Sequence, residues 1–85
     1  MKEISFCSHA QEKFKILEEH GFSVSKEKVL DVIKKPDKKE KGFKDRFIAQ
    51  KAIDFKHVLR VVYEEKDNLI VIITFYPGRR SYYEG

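Results

Sequence analysis

The end of the chain places arginines and tyrosines directly behind a hydrophobic run. Residues 69–76, LIVIITFY, lead into a Pro-Gly pair and then into the tail RRSYY. A further arginine interrupts the β-branched run LRVV, and a histidine follows the Cys-Ser pair near the start. Arginine forks match phosphate geometry, and histidine and tyrosine move protons. The residue types predict a site that handles a phosphodiester, with six candidate catalytic residues: His9, Arg60, Arg79, Arg80, Tyr82 and Tyr83.

Cleavage of a phosphodiester without a metal needs a proton acceptor, a stabiliser of phosphate charge and a proton donor. Arg60, with either Arg79 or Arg80, is the predicted charge stabiliser. His9 is the predicted acid–base group, because imidazole changes charge near neutral pH. One of the two tail tyrosines would stack on a base or share the proton transfer.

Each candidate also has an ordinary structural interpretation. An arginine in a hydrophobic strand needs a partner, so Arg60 fits a salt bridge to Glu64 or to a neighbouring strand. Most histidines in the first turn of a helix are surface residues, which is the simple interpretation of His9. Without cleavage, the tail would be a binding surface.

Net charge is concentrated in one segment. The 85 residues carry a net charge of +4, and residues 34–46 hold seven basic side chains against three acidic ones. Such a stretch favours a phosphate-bearing partner, although a solvated lysine-rich loop is an equal alternative. The predicted RNA-binding residues are Lys13, Lys34, Lys35, Lys38, Lys39, Lys41, Lys44 and Arg46.

Composition predicts a single cytoplasmic domain spanning residues 1–85. This length allows one hydrophobic core, and the single cysteine excludes an internal disulfide. We expect no membrane span, since the longest apolar run is short, and no leader peptide. Phosphate-loop and dinucleotide-binding motifs are absent, and His and Cys lack zinc-ligand spacing, so we expect no cofactor and no metal.

Hydrophobic periodicity predicts a β-α-α-β-β-β chain. Residues 3–6 form a short strand. Ser8, with Gln11 in a capping box, starts a helix over residues 9–20 that ends at Gly21. A second helix follows over residues 26–34, capped by Ser23 or Ser25 and stopped by Pro36. Residues 37–45 form a basic loop or ragged edge strand, with Gly42 as its bend.

The remaining strands form the centre of the predicted sheet. Residues 46–53 form one strand, and residues 57–64 and 69–76 form an antiparallel hairpin around the turn EKDN. Alternation places Arg60 on one face and Leu59 and Val61 on the other. The fold class is therefore α+β: a small antiparallel sheet of three or four strands, with a two-helix hairpin on one face and the other face open.

The order of these features resembles the RelE/ParE toxin superfamily, in particular its small uncharacterised prokaryotic domains. The resemblance covers nearly the whole chain and rests on Ser-His-Ala at residues 8–10, on LRVVY at 59–63, on IIT at 72–74, and on the RRSYY tail. It implies a RelE-like fold and, for the ribonuclease members, metal-independent cleavage of mRNA through the 2′-hydroxyl. The same six candidate catalytic residues match the family pattern. Toxins of this group commonly continue into a further helix or tail, whereas this chain stops at Gly85, and the ParE branch acts on gyrase.

Three functional hypotheses follow. The chain is a metal-independent RNA endonuclease of the mRNA-interferase type, acting on free or ribosome-associated RNA. Alternatively, it is an RNA-binding module without catalysis, or a protein-interaction domain that binds an acidic antitoxin. Cleavage that is lost on Arg60→Ala would select the first, salt-sensitive binding alone the second, and protein binding alone the third.

Overall fold

The computed structural model describes residues 3–83 and contains five strands and three helices. The strands are β1 (Glu3–Phe6), β2 (Lys38–Lys41), β3 (Phe47–Ala52), β4 (His57–Lys66) and β5 (Leu69–Arg79). The helices are α1 (Ser8–Glu19), α2 (Lys26–Lys34) and α3 (Arg80–Tyr83). The predicted domain covers residues 1–85, so residues 1, 2, 84 and 85 lie outside the description. Among the described residues, no helix is long and apolar enough to cross a membrane.

One sheet contains all five strands in the order β1-β5-β4-β3-β2. Neighbouring strands are antiparallel except β1, which runs parallel to β5. The predicted α+β class is confirmed, and the sheet is mixed and has one strand more than the largest number we expected. The extra strand is the basic segment: Lys38–Lys41 pairs along β3 as the edge strand β2, and Gly42 bends the chain after it.

The two long helices pack on the same face of the sheet. Helix α1 contacts β5 and β1, and α2 contacts β4 and β3. The core between helices and sheet consists mainly of small and branched side chains, together with the rings of Tyr63 and Phe75. Its most buried members are Ala10, Val29, Val32, Ala49, Leu59, Val61, Ile72 and Phe75. The predicted division of β4 into a helix-facing row and an opposite row is therefore confirmed.

Helix boundaries follow local capping chemistry. Ser25 caps α2 by accepting a hydrogen bond from the Lys28 N–H, and Gly21 has a φ of +86°, the left-handed geometry that ends α1. The Ser8 cap was predicted incorrectly. Cys7 is the cap residue of α1 and makes no side-chain cap bond, while Gln11 donates to the Phe6 carbonyl.

Strand β5 differs from the prediction at both of its ends. The turn before it has only two residues, Asp67 and Asn68, because β4 continues to Lys66. At the other end β5 runs through Pro77-Gly78, a dipeptide that is typical of turns. Strand β1 pairs only with Leu69–Ile72, so β5 is a sheet edge beyond that point, and an edge tolerates proline.

A β-bulge reverses the alternation of β5. Val62 pairs with Thr74 and Tyr63 pairs with Ile72, which leaves Ile73 unpaired. The amide and the thiol of Cys7 donate to the carbonyls of Ile72 and Ile73 at this point. Thr74 consequently faces the side opposite to the helices, whereas uninterrupted alternation along β5 would place it with Ile72, which belongs to the core.

The tail after β5 folds back on the sheet face opposite the helix pair. Helix α3 contacts β5 and β4, so the face that we expected to be open is covered at this end. A Cβ atom on Gly78 would lie 2.3 Å from the Tyr83 ring. The glycine is therefore needed for close approach of the ring to the strand.

We predict that Gly78→Ala lowers the free energy of unfolding by about 1 kcal/mol, because the Tyr83 ring must leave its place on the sheet. In a Tyr83→Ala background, the same substitution should cost nothing. Urea unfolding of both single variants and the double variant measures this coupling. An equal cost of Gly78→Ala in both backgrounds would show that the Tyr83 ring does not depend on the glycine.

Candidate functional site

A cleft of about 480 Å³ lies where β4 begins and β5 ends. Its walls come from the β3–β4 turn and from the junction of β5 with α3; the lining residues are Phe55, Lys56, His57, Arg79, Arg80 and Ser81. His57 and Arg79 are cross-strand partners, and the Arg80 N–H donates to the Lys56 carbonyl at 2.8 Å. The end of the hairpin therefore carries four basic side chains around one cleft.

Asp54 organises the turn that forms one wall. Its carboxylate accepts hydrogen bonds from the N–H groups of Lys56 (2.8 Å) and His57 (2.7 Å). The same carboxylate lies 3.0 Å from His57 Nδ1. The hydrogen bond from the Lys56 N–H, followed by those from His57, holds the pKa of Asp54 below its usual value. The turn is thus fixed by an ionised carboxylate.

The His57 ring is held on two sides. Nδ1 faces the Asp54 carboxylate, and Phe22 packs edge-on against the ring with centroids 5.2 Å apart. In the tautomer with a proton on Nδ1, the ring donates to Asp54 and Nε2 is the atom that accepts a proton. A carboxylate that orients an imidazole beside a cleft is an arrangement capable of general acid–base chemistry.

Arg60 lies outside this cleft, in a buried cluster on the sheet face opposite the helix pair. It is 6% exposed, and its guanidinium donates to Glu40 Oε1 (2.9 Å), to Gln50 Oε1 and to Tyr76 Oη (3.0 Å). The Tyr83 ring covers it, with 4.2 Å between Cζ and the ring centroid. Burial opposes the charge, but the hydrogen bonds from Arg60 to Tyr76 and Glu40 outweigh it, and the pKa of Arg60 is raised.

These contacts support the structural interpretation of Arg60. Glu64, one of the predicted partners, binds Arg46 instead, at 3.1 Å. The partners of Arg60 are also not confined to the adjacent strands. Glu40 belongs to β2, two strands away, and Gln50 belongs to the β3 strand between them. The guanidinium therefore links β2, β3, β4, β5 and α3, and it already binds groups of the protein itself.

The structure separates the six predicted catalytic residues. Arg79 and Arg80 line the cleft, Arg60 and Tyr83 form the buried cluster, and Tyr82 is 78% exposed with its ring edge-on to Tyr83. His9 is exposed on α1, which packs on the helix-covered face. No contact described for residues 3–83 joins His9 to Arg60 or to the cleft, and its catalytic role stays a prediction.

The predicted RNA-binding residues are also dispersed. Lys13 lies on α1, Lys34 ends α2, and the others follow α2 or lie on the β2–β3 hairpin. Alternation along β2 places Lys39 with the helix-facing row and Lys38 with the opposite row. Lys39 approaches Glu65 (3.6 Å), and a hydrogen bond with Tyr63 is the main cause that raises the pKa of Lys39. The basic segment 38–41 is thus a strand whose charged side chains are divided between the two faces of the sheet.

Sequence reasoning missed Phe55, Lys56 and His57 as site residues. The available signal was the spacing Asp54-x-x-His57, in which an aspartate at a turn accepts from the two residues that follow. Strand parity places His57 on the same face of β4 as Leu59. At the strand end His57 is only half-buried, and it lines the cleft.

Comparison with solved structures identifies the fold. The solution structure of the conserved hypothetical protein HP0894 from Helicobacter pylori superposes with a TM-score of 0.54 at 20% sequence identity, covering 95% of this chain and 97% of that one. The fold is RelE-like. No protein-family model and no curated protein matches the sequence. At this identity the likeness describes architecture and leaves activity to be argued from the site.

We predict that Arg60→Met lowers the free energy of unfolding by about 2–3 kcal/mol, because Glu40, Gln50 and Tyr76 lose their common donor. The melting temperature should fall by roughly 10–20 °C. Arg46→Met is the matched control: its pair with Glu64 is partly exposed and should contribute less than about 1 kcal/mol. Equal effects of the two substitutions in thermal unfolding would contradict a structural role for Arg60.

Proposed function

We propose that the protein binds RNA in the cleft and cleaves it without a metal ion, using the ribose 2′-hydroxyl as the nucleophile. The observation that carries the proposal is the Asp54–His57 pair, with 3.0 Å between carboxylate and imidazole, beside the arginines of one basic cleft. Cationic walls attract a phosphate and repel a divalent metal ion. The RelE-like fold and the net charge of +4 agree with an RNA substrate.

The four basic residues of the cleft each have a defined role in this reaction. Nε2 of His57 takes the proton of the 2′-hydroxyl, while Asp54 stabilises the imidazolium that forms. The 2′-oxygen attacks the adjacent phosphorus, and Arg79 and Arg80 neutralise the charge that builds on the phosphate oxygens. The bond from phosphorus to the 5′-oxygen breaks, and the Lys56 ammonium is the candidate donor to that oxygen. The products are a 2′,3′-cyclic phosphate and a free 5′-hydroxyl.

This proposal reassigns the acid–base role from His9 to His57 and keeps Arg79 and Arg80. Arg60 becomes a positioning residue, because it holds Tyr83 and thereby the helix that follows Arg79. Binding of RNA without cleavage would be an outcome of the experiments below.

We predict that His57→Gln slows RNA cleavage by about 100-fold or more, the usual contribution of a general base, and removes one limb of the pH–rate profile. Glutamine keeps a polar side chain near Asp54 but cannot take up the proton. The assay uses a short RNA with EDTA, beside the same RNA with a 2′-methoxy group at the cut site. His20→Gln, an exposed histidine on the C-terminal cap of α1, is the control.

Three results would contradict the mechanism: cleavage of the 2′-methoxy RNA, loss of cleavage in EDTA, and full activity of His57→Gln. His9→Gln belongs in the same series. If it abolishes cleavage while His57→Gln is active, the sequence-based assignment of the base is correct and the one made from the cleft is wrong.

Salt dependence of RNA binding locates the phosphate contacts. Arg79→Gln with Arg80→Gln should reduce the slope of log affinity against log salt by about 2, one for each lost contact. Lys38→Gln with Lys41→Gln removes the same charge from β2 and should change the slope by less than about 1. A larger change for the lysine pair would place the RNA on the β2–β3 hairpin.

A further inference from the structure

One large apolar side chain stands in solvent at the mouth of the cleft. Phe55 is 91% exposed in the turn between β3 and β4. The turn is not loose, because Asp54 accepts from the N–H groups on the far side of Phe55, and the Ile53 N–H donates to the His57 carbonyl at 3.0 Å. A rigid turn therefore presents an unpacked aromatic ring.

Packing against the core does not explain why the chain has a phenylalanine at position 55. Phe14, Phe22 and Phe47 are partly buried against the core cluster and Phe75 belongs to it, whereas Phe55 gains nothing from folding. Exposing a phenylalanine forgoes the stabilisation that burial of such a ring provides. The position of Phe55 beside Lys56, His57, Arg79 and Arg80 indicates a ligand with a flat apolar face and a nearby negative charge.

We infer that Phe55 is a stacking platform for an unpaired nucleobase whose phosphate occupies the cleft, so that the substrate class is single-stranded RNA. The inference rests on the proposed function in one respect, that RNA is the ligand of the cleft. Every base has a π-face, so stacking on one ring supplies affinity with little sequence preference. A base inside a duplex already has both faces covered and cannot stack on the ring without being unpaired.

The chain provides its own control for this inference. Phe43 is 86% exposed, at the tip of the β2–β3 hairpin, and is not among the residues that line the cleft. Phe43 and Phe55 flank opposite ends of β3. Their substitution removes the same side chain from equally exposed positions, and neither change takes a buried contact from the core.

Binding is measured with an unstructured RNA oligonucleotide carrying 2′-methoxy groups, which prevents cleavage, and with the same strand annealed to its complement. Phe55→Ala should weaken binding of the single strand by about 5- to 150-fold. Phe43→Ala should leave it unchanged, and Phe55→Trp should retain or strengthen it. Binding of the duplex should be weaker than that of the single strand and insensitive to Phe55→Ala.

Tryptophan fluorescence reports the contact directly, since the chain contains no tryptophan. Emission of Phe55→Trp should be quenched on addition of the single strand, and emission of Phe43→Trp should not. An oligonucleotide with abasic sugars in place of every nucleotide keeps the phosphates and should lose the quenching.

The outcomes separate this inference from the proposed function. If Phe55→Ala binds like the unaltered protein while Arg79→Gln with Arg80→Gln weakens binding, stacking is wrong and the cleft assignment stands. If Phe55→Ala weakens binding while the unaltered protein cleaves no RNA, the stacking site stands and the catalytic proposal is wrong. Failure of the unaltered protein to bind either RNA overturns both.

Discussion

The buried guanidinium of Arg60 determines how the sheet and the tail fit together. A charge with 6% exposure is stable only if it is paired and hydrogen-bonded, and here the partners come from three other strands. Glu40 brings a carboxylate from the edge strand β2, which otherwise holds mostly exposed lysines. This ion pair adds to the pairing with β3 and to the contacts of Lys39 with Glu65 and Tyr63, which together keep a four-residue basic strand in the sheet.

The same guanidinium fixes the place of α3. Tyr83 packs on its face, and Gly78 leaves the room that the ring requires. Because α3 follows β5 without a break, the position of Tyr83 also sets where Arg79 and Arg80 leave the sheet. A second link, from the Arg80 N–H to the Lys56 carbonyl, joins the tail to the β3–β4 turn. The cleft is thus built by a structural cluster that lies outside it.

Sequence patterns were informative where a single physical effect dominates. Alternation in β4 identified the core-facing row, and the left-handed glycine and the serine cap marked two helix boundaries. Sequence patterns were uninformative where tertiary contacts determine the local structure. The bulge at Ile73 reverses the alternation of side chains along β5. Pro77 is tolerated in β5 because β1 is too short to pair with that part of the strand, which is a property of β1 and not of the sequence around Pro77. Sequence left the basic segment open between a loop and an edge strand; Lys38–Lys41 is an edge strand, and Glu40 pairs with Arg60 two strands away.

For the site, sequence reasoning identified two of the four basic residues in the cleft, Arg79 and Arg80. It assigned chemistry to Arg60 because an arginine in a hydrophobic strand is unusual, yet the same fact fits a buried link between strands. It overlooked His57, because the spacing Asp54-x-x-His57 marks a turn and does not by itself indicate a catalytic pair. Residue type alone therefore indicated the kind of chemistry to expect, and the turn geometry provides the place that we propose for it.

The central claim is that RNA occupies the cleft at the ends of β4 and β5. The most direct measurement is a ¹H–¹⁵N NMR titration of the protein with a short 2′-methoxy RNA that cannot be cleaved. The account predicts saturable shift changes concentrated at residues 54–57 and 79–81. Changes confined to residues 38–46, or no changes at all, would contradict it.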